Sequence, residues 1–530
     1  NIYGKAEYFN PGQSIKDMTL EMENSIKSRF TYLNEEYKEM VGILSFFTEG
    51  FFDAIVPILF KKKDEEIVRF LDELLKRDIL KESVYKNNIV YNFTHERIRE
   101  YLYSTISKTK RKNYHNEIGN YLEKINIDGF DGIERSQALA YHFREAGEFT
   151  KELNYNIEIL NHRLNFVHEL FPVLGMRGDR ESNKMQISQE EAKKMLRKLK
   201  EDLDKVKNNE NYESIQYLEL KLDYMRGRYL IRCGNYEDGL EDIKYVIKRS
   251  IVLKEKDYEI NGYKQMIFYN IQRNNPTEMI KYIDKSLELA VECNYHSEIG
   301  MFLRLKGLYY LMIGEYKVSE GFLRESISSF SVTKSIADIY SINIAAAHNY
   351  IGELKFAQKE YDEAIRELKK SIELSENKQA FSSLMVFYTN IGKVYFAKGD
   401  LINAHKYFNL ALQLNNDLDS FWKVPVLDAY MALTQMYRGN FQVANDYLKT
   451  AVEHSRKMDD PRDLGTVNFA SYVIYKKTKD TKDFSYFKNI LTEDSETYRK
   501  LALENLDEFR DVFEINICKN GKDLIIRSIV

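Results

Sequence analysis

Seven turn signals recur down the second half of this chain at a nearly constant step. Gly234-Asn235-Tyr236 is followed by Asn274-Asn275-Pro276, Gly314-Glu315-Tyr316, Lys359-Glu360-Tyr361, Gly399-Asp400-Leu401, Gly439-Asn440-Phe441 and Lys479-Asp480-Thr481. The steps are 40, 40, 45, 40, 40 and 40 residues. Self-similarity at such a period restricts a chain to repeat architectures, in which each unit buries its apolar face against its neighbours. Around the turns, as in Asn390–Asp400 and Ala404–Leu412, apolar residues recur at three and four, the helical period. Small residues hold fixed columns. Gly227, Gly307, Gly352, Gly392 and Ala432 stand seven before the turn residue. Ala364, Ala404 and Ala444 stand five after it, with Ser319 in the same column, and Ser326, Ser371, Ala411 and Ala451 twelve after it. Small side chains there let two antiparallel helices approach closely and the next helix pack on the pair.

These columns resemble the tetratricopeptide repeat: a small residue in the first helix, a Gly-Asp/Asn-Tyr turn and two small residues in the second. The resemblance covers roughly Ser214–Lys482. The usual repeat has about 34 residues, and the extra six or so lengthen the hairpin helices by roughly 9 Å in total. HEAT repeats and WD40 propellers share a period near 40. HEAT repeats lack the Gly-Asp-Tyr turn, and a propeller needs Gly/Trp-rich short strands where this chain has 1 Trp. The expected fold class is all-α: a tetratricopeptide-like right-handed superhelix of about 40-residue repeats, preceded by a small winged-helix module.

Composition agrees with long helices. Pro, 6 in 530 residues, and Gly, 24, are both scarce helix breakers. The net charge of −4 argues against a general electrostatic footprint for nucleic acid or anionic membrane, though a local basic patch remains open. Cys233, Cys293 and Cys518 are far apart, which indicates neither a disulfide framework nor a zinc site and suits reduced thiols in a cytoplasmic protein. The sequence shows no signal-peptide pattern and no apolar run approaching the ~18 residues that span a bilayer. The opening Asn1–Gln13 lacks a Met and reads as mid-protein sequence, so a fragment of something longer is expected.

Outside the array, Ala138–Leu160 reads as a degenerate repeat turning at Gly147-Glu148-Phe149. Phe171–Ile187, with Pro172, Gly175 and Gly178, reads as an inserted loop. Ser188 and Glu191 form a capping box that opens a charged helix to about Val206. After Lys482 the repeat decays. Val512–Ile517 and Leu524–Ile529 flank Asn520-Gly521, a hairpin signal for a cap or the start of another domain. The expected plan is 1–24, the end of an upstream domain or linker; 25–125, a winged-helix module; 126–206, a degenerate repeat with loop and connecting helix; 207–500, the array; and 501–530, a helix and β-hairpin.

In the N-terminal module, helices are expected at Leu33–Phe47, Phe52–Phe60 and Asp64–Arg77, the last with Ile67, Phe70, Leu71, Leu74 and Leu75 on one face. Ile79–Val84 and Ile89–Phe93 alternate as strands around Lys86-Asn87-Asn88, and His95–Ile106 resumes helix. Ser25-Ile26-x-x-Arg29-Phe30-x-x-Leu33, the Phe93-Thr94-His95-Glu96-Arg97-Ile98-Arg99-Glu100-Tyr101-Leu102-Tyr103 run, then Arg111 through His115 and Leu122, resemble the segment after the nucleotide-binding domain in STAND-type signal-transduction ATPases, including the maltose-regulon activator family. That resemblance implies the order ATPase core, winged helix, helical-repeat sensor. This chain has no G-x-x-x-x-G-K-S/T, so ATP or ADP would belong to a domain upstream of Asn1, and no cofactor is expected within the chain. The resemblance also makes His95 a candidate for sensing bound ADP, against a purely structural capping or packing role.

A winged helix invites a DNA reading, but the candidate recognition helix carries Asp64, Glu65, Glu66, Asp72 and Glu73 against Arg69, Lys76 and Arg77. That balance is wrong for a phosphate-lined groove, so DNA binding is not expected. Lys61-Lys62-Lys63 and Lys108-x-Lys110-Arg111-Lys112 read as solvated surface or as contacts for a missing domain. Nine histidines fall in no H-E-x-x-H pattern, and there is no G-x-S-x-G, so neither a metal site nor an enzyme is expected. In tetratricopeptide arrays the first helix of each repeat lines a concave groove. By column, that groove takes Tyr224, Arg228, Arg232, Arg304, Leu308, Asn349, Phe356, Lys393, Phe396 and Tyr437 as candidate contacts, with Ile231, Leu311, Glu353, Thr389, Leu433 and Met436 beside them. Arg and Asn there suit a carboxylate or peptide backbone, and the aromatics offer anchors. The expectation is a regulatory sensor fragment of a signal-transduction ATPase or transcriptional regulator, binding a peptide, protein or small inducer. A stand-alone peptide receptor or scaffold, and the regulatory part of an enzyme encoded beyond Val530, are the alternatives. Oligomeric state is open.

Overall fold

The computed structural model describes residues 20–48, 50–85, 88–125, 132–164, 187–207, 212–378, 380–415, 423–458 and 460–520. The opening segment to Gln13, the Lys86-Asn87 turn, the inserted loop up to residue 186 and the strand expected at Leu524–Ile529 lie outside the described residues. The chain divides into two compact units, residues 1–164 with 187–222, and residues 165–186 with 223–530.

The first unit opens with α1 (Leu20–Phe30) and α2 (Glu35–Leu44). Asn34 caps α2, its side chain accepting from the Tyr37 N–H at 2.7 Å. Then come β1 (Phe51–Phe52), α3 (Ile55–Phe60), α4 (Asp64–Lys76), β2 (Leu80–Tyr85), β3 (Asn88–Phe93), α5 (Glu96–Thr105) and α6 (Lys108–Leu122). The sheet is antiparallel in the order β1-β3-β2. Phe70 and Leu74 of α4 are fully buried with Phe46, Phe47 and Phe51, so the apolar stripe read in the sequence is the core face. One expectation is corrected. Phe52–Phe60 is not a single helix, because Phe51 and Phe52 pair with Tyr91 and Val90 as a third strand and α3 starts only at Ile55. Two buried aromatics side by side fit a strand covered on both faces, which helical periodicity does not register. The degenerate repeat is a helix pair, α7 (Gly132–Ala146) and α8 (Phe149–Leu164), turning at Gly147 with φ +81°. Ser188 caps α9 (Gln189–Val206), accepting from the Glu191 N–H.

The second unit is a tetratricopeptide-like superhelix of antiparallel pairs. It runs from α10 (Tyr212–Arg232), whose first half belongs to the first unit, through α11 (Tyr236–Leu253), α12 (Lys256–Gln272), α13 (Pro276–Glu292), α14 (His296–Met312) and α15 (Tyr316–Phe330). After α16 (Lys334–Ile339) it continues with α17 (Ser341–Ala357), α18 (Tyr361–Asn377), α19 (Phe381–Ala397), α20 (Leu401–Asn415), α21 (Val424–Tyr437), α22 (Phe441–Met458) and α23 (Pro461–Thr478). The five extra residues between the third and fourth turns are the short α16, which the Thr333 side chain caps.

Gly234, Asn274, Gly314, Lys359, Gly399 and Gly439 all have positive φ. After each, an N–H donates back to a carbonyl five residues earlier, as from Asn235 to Leu230 and from Glu360 to Lys355, both at 2.9 Å. This is the left-handed helix stop that glycine accepts without steric cost. The small columns make the close approach: a Cβ at Gly307 or Gly352 would stand 2.7 or 2.6 Å from the Leu323 or Leu368 Cγ of the partner helix. Ser319 instead uses its hydroxyl, donating to the Gly307 carbonyl at 2.7 Å.

The seventh turn departs from the pattern. Lys479 has φ −45°, and the chain leaves the array through α24 (Phe484–Phe487) and α25 (Ser495–Asn505). The strand expected at Val512–Ile517 is also corrected, since Val512–Asn520 forms helix α26. Asp507 accepts from the Phe509 and Arg510 N–H groups at 2.9 and 2.8 Å, turning the chain just ahead of it. Glu514 is then drawn inward to a buried cation, which a solvent-facing strand position would not allow.

Candidate functional site

The first helices of successive pairs line one side of the second unit, and there they enclose a polar cavity of about 60 Å³. Arg304 comes from α14, Asn349, Tyr350 and Glu353 from α17, and Ser383, Asn390 and Lys393 from α19. Lys423 precedes α21, while Asp460 and Arg462 open α23. Arg510 and Asp511 enter from the segment ahead of α26.

Most of these charges are paired. Arg462 grips Asp511 with two N–H groups at 2.8 Å each, and Arg510 donates to Glu353 at 2.9 Å. Lys393 pairs with Glu514 at 2.9 Å, and Glu514 also accepts from the Tyr430 hydroxyl. Lys423 pairs with Asp463 at 2.6 Å and lies 3.7 Å from Asp460. Asn390 donates to Asn349, which donates to Glu353. Burial alone would raise the Glu353 and Asp511 carboxyls. Arg510 and Arg462 outweigh it at Glu353 and Arg462 does so at Asp511, so both are held below the usual carboxylate range. Asp460 goes the other way, pushed up to about 6 by burial and by the neighbouring Asp463. Arg304 is the exception among the cations. It is only 3% exposed, yet its Nε and Nη1 have no hydrogen-bond partner, and burial lowers its pKa.

The residues expected in the groove fall into four groups. Arg304, Asn349 and Lys393 line the cavity, with Glu353 beside them. Phe356 and Phe396 are buried with their rings 6.0 and 6.5 Å from Phe513 of α26, and Tyr437 lies 6.1 Å from Phe396, so the chain's own last described helix covers them. Leu308 is fully buried core. Tyr224, Arg228 and Arg232 do not reach the cavity; the Arg228 guanidinium lies 5.2 Å over the Tyr224 ring. In the first unit His95 is exposed at the start of α5 and caps nothing with its side chain. Sequence columns missed Asp460, Arg462, Arg510 and Asp511. The first two sit at the edge of the last first-helix and the others beyond the array, where no column reaches.

Among the described residues no group of three or more His, Cys, Asp or Glu is placed to hold a metal ion. None of their helices is long and apolar enough to cross a membrane. The cysteines are unpaired, with Cys233 exposed and Cys518 buried.

The tetratricopeptide repeat family matches residues 343–417, which begin in α17 and end past α20. Among solved structures, the chain is similar to a Signal Transduction ATPase with Numerous Domains (STAND) protein with a tetratricopeptide repeat sensor from Pyrococcus horikoshii. The TM-score is 0.55 at 14% identity, over 96% of this chain and 68% of that one. It is more distantly similar to a Rap protein complexed with competence and sporulation factor, at TM-score 0.45 and 12% identity over 75% of this chain and 94% of that one. NprR in complex with its cognate peptide NprX matches at TM-score 0.40 and 19% identity, over 62% of this chain and 95% of that one. No curated protein matches the sequence.

Proposed function

We propose that this chain is the sensory part of a cytoplasmic signal-transduction switch, binding a peptide, protein segment or small inducer at the polar cavity of its repeat array, and that it performs no catalysis itself. The observation that carries this reading is the cavity. It lies on the side lined by the first helices of the repeat pairs and holds a buried guanidinium that no side chain among the described residues neutralises. Buried charges without partners are costly and cluster at binding sites. Arg510 and Asp511 line the same cavity, so an occupant touches the segment that leads into α26. Binding there changes the contacts of a helix held by Lys393, Tyr430 and the Phe513 aromatic cluster, which is a route for relaying occupancy.

The fold likeness to a STAND protein with a tetratricopeptide repeat sensor, over 96% of this chain, supports the finer reading. On that reading α2, α3 and α4 with the three-stranded sheet of the first unit are a winged helix, an ATPase core precedes it, and exposed His95 faces bound ADP. DNA contact by α4 is disfavoured, because Asp64, Glu65 and Glu66 occupy its exposed first turn.

The test is hydrogen exchange on the full chain titrated with pooled random heptapeptides. Saturable protection concentrated in α14, α17, α19 and α26 is expected. Protection confined to residues 20–164 would sink the reading, and none at any concentration would strike the peptide from it and leave the small inducer.

A further inference from the structure

The cavity also says what chemistry its occupant carries. Among the described residues the Arg304 Nε and Nη1 meet no acceptor, although the side chain is more than nine-tenths buried. Ser383, 1% exposed on the same wall, likewise has a hydroxyl with no partner. The other cations of the cavity are matched one to one: Lys393 by Glu514, Lys423 by Asp463, Arg462 by Asp511 and Arg510 by Glu353. The remaining carboxylate, Asp460, lies beside Lys423 at 3.7 Å, so among the described residues Arg304 is the one cation of the cavity without an ion-pair partner, and Ser383 adds a hydroxyl to it.

We propose that the Arg304 end of this cavity seats one carboxylate of the ligand, with the Arg304 guanidinium as its counter-ion and the Ser383 hydroxyl as a further donor. A planar carboxylate matches the two-pronged donor geometry of a guanidinium. A doubly charged phosphate does not suit the site, because Glu353, Asp460 and Asp511 line the same small space and would repel the second charge. Ile271, Ala346, Val386 and Val426 form apolar wall, so the carboxylate carries a short hydrocarbon group. Two sources share that chemistry: a free short-chain acid, or the C-terminal end of a peptide. This inference rests on the groove being a recognition surface, and it is open to a test of its own.

The probes are isovalerate for the free acid, a pool of N-acetyl-amino acids for a peptide end, the amide of each, and inorganic phosphate. Binding to the full chain is read by titration calorimetry and by thermal unfolding, for the wild type, Arg304→Lys and Arg304→Met. At least one acid is expected to bind saturably, and its amide at least about ten-fold more weakly, the loss of one charge-assisted pair. Arg304→Met abolishes the preference and Arg304→Lys keeps part of it. Without ligand, Arg304→Met unfolds at or above the wild-type temperature, because it removes an unneutralised buried charge. The proposal is overturned if acids and amides bind alike, if no acid binds, if phosphate binds best, or if Arg304→Met alone lowers the unfolding temperature. Heptapeptides that protect the groove equally in wild type and Arg304→Met would remove the carboxylate seat and leave the sensor reading standing. Isovalerate binding without any peptide binding would keep the carboxylate seat and narrow the sensor reading to a small inducer.

Discussion

Arg99 in the first unit and Arg304 in the second are buried to the same depth, 2% and 3% exposed. Arg99 is satisfied: it donates to Glu96 at 2.7 Å and to the Ser45 carbonyl at 3.0 Å, tying α5 to the end of α2. Arg304 has a cavity in front of it instead of a partner. The polar groups around them differ in the same way. Near Arg99, His115 and His142 share a hydrogen bond at 3.0 Å and Tyr103 meets His115 at 3.0 Å, a closed neutral network. Around Arg304 the network is charged and opens on space. Burial of a polar group therefore does not set the two arginines apart; an unmet bonding requirement beside a cavity does.

The sharpest test of that contrast is to delete both guanidiniums. Arg99→Met leaves the buried Ser45 carbonyl without its donor, while half-exposed Glu96 turns to water, and is expected to cost about 1–3 kcal/mol in denaturant unfolding of the first unit. Arg304→Met strands nothing and costs none. Equal losses would break the comparison.

Acid separates the two regions next. Burial, aided by His142, holds His115 down at about 2, and burial holds His142 at about 3, against about 6.5 when unfolded. Between those values the unfolded chain binds more protons, so stability conferred by the neutral pair is present above pH ~6.5 and is lost as pH falls, by up to about 1.4 kcal/mol per pH unit for each histidine. His142→Phe removes one histidine's share of that slope, read by urea unfolding from pH 7 to 4. In the second unit Asp460 is raised to about 6 from an unfolded value near 3.9, so its share has the opposite sign. The folded state then holds the extra proton between about pH 4 and 6, and this contribution grows as pH falls through that window. Asp460→Asn is expected to erase it; a wild-type and variant pair with parallel pH profiles would show that Asp460 ionises as an ordinary carboxylate.

How much of this was open to a reader of the sequence follows from the range of each interaction. Turns are local. Six of the seven turn residues have positive φ, and even Lys359 holds the left-handed conformation in the glycine column. Lys479 fails because the helix that packs back on α23, α25, begins only at Ser495, after the short α24, so no tight stop is needed there. Columns also placed Arg304, Asn349 and Lys393 on the cavity wall, since repeat geometry turns equal positions to one side. Helix α26 was illegible because its alternating pattern reads as a strand, while its conformation is settled by Lys393 and Tyr430, 121 and 84 residues away from Glu514. Nor does any column say that Arg304 lacks a partner, for that depends on where every other carboxylate in the unit has gone.

The smallest expected effect tests how closed the neutral network is. The Arg111 N–H groups donate to the Ser104 and Ile106 carbonyls and its guanidinium lies 4.5 Å over the Tyr103 ring, leaving the Tyr103 hydroxyl to give its proton to His115 Nε2. His115 then carries its own proton on Nδ1 and donates it to His142. Tyr103→Phe breaks the first link and is expected to cost about 1 kcal/mol. It also leaves the Nε2 lone pair free to take a proton, so the acid unfolding midpoint of the first unit moves to higher pH. The reverse order of protons would have Nε2 donating to Tyr103, and the substitution would then leave the midpoint where it was. A rise in the midpoint with a small loss of stability at pH 7 keeps the network neutral, closed and structural; a loss as large as that of Arg99→Met would mean that the histidine pair, like Arg304, is under strain that something else relieves.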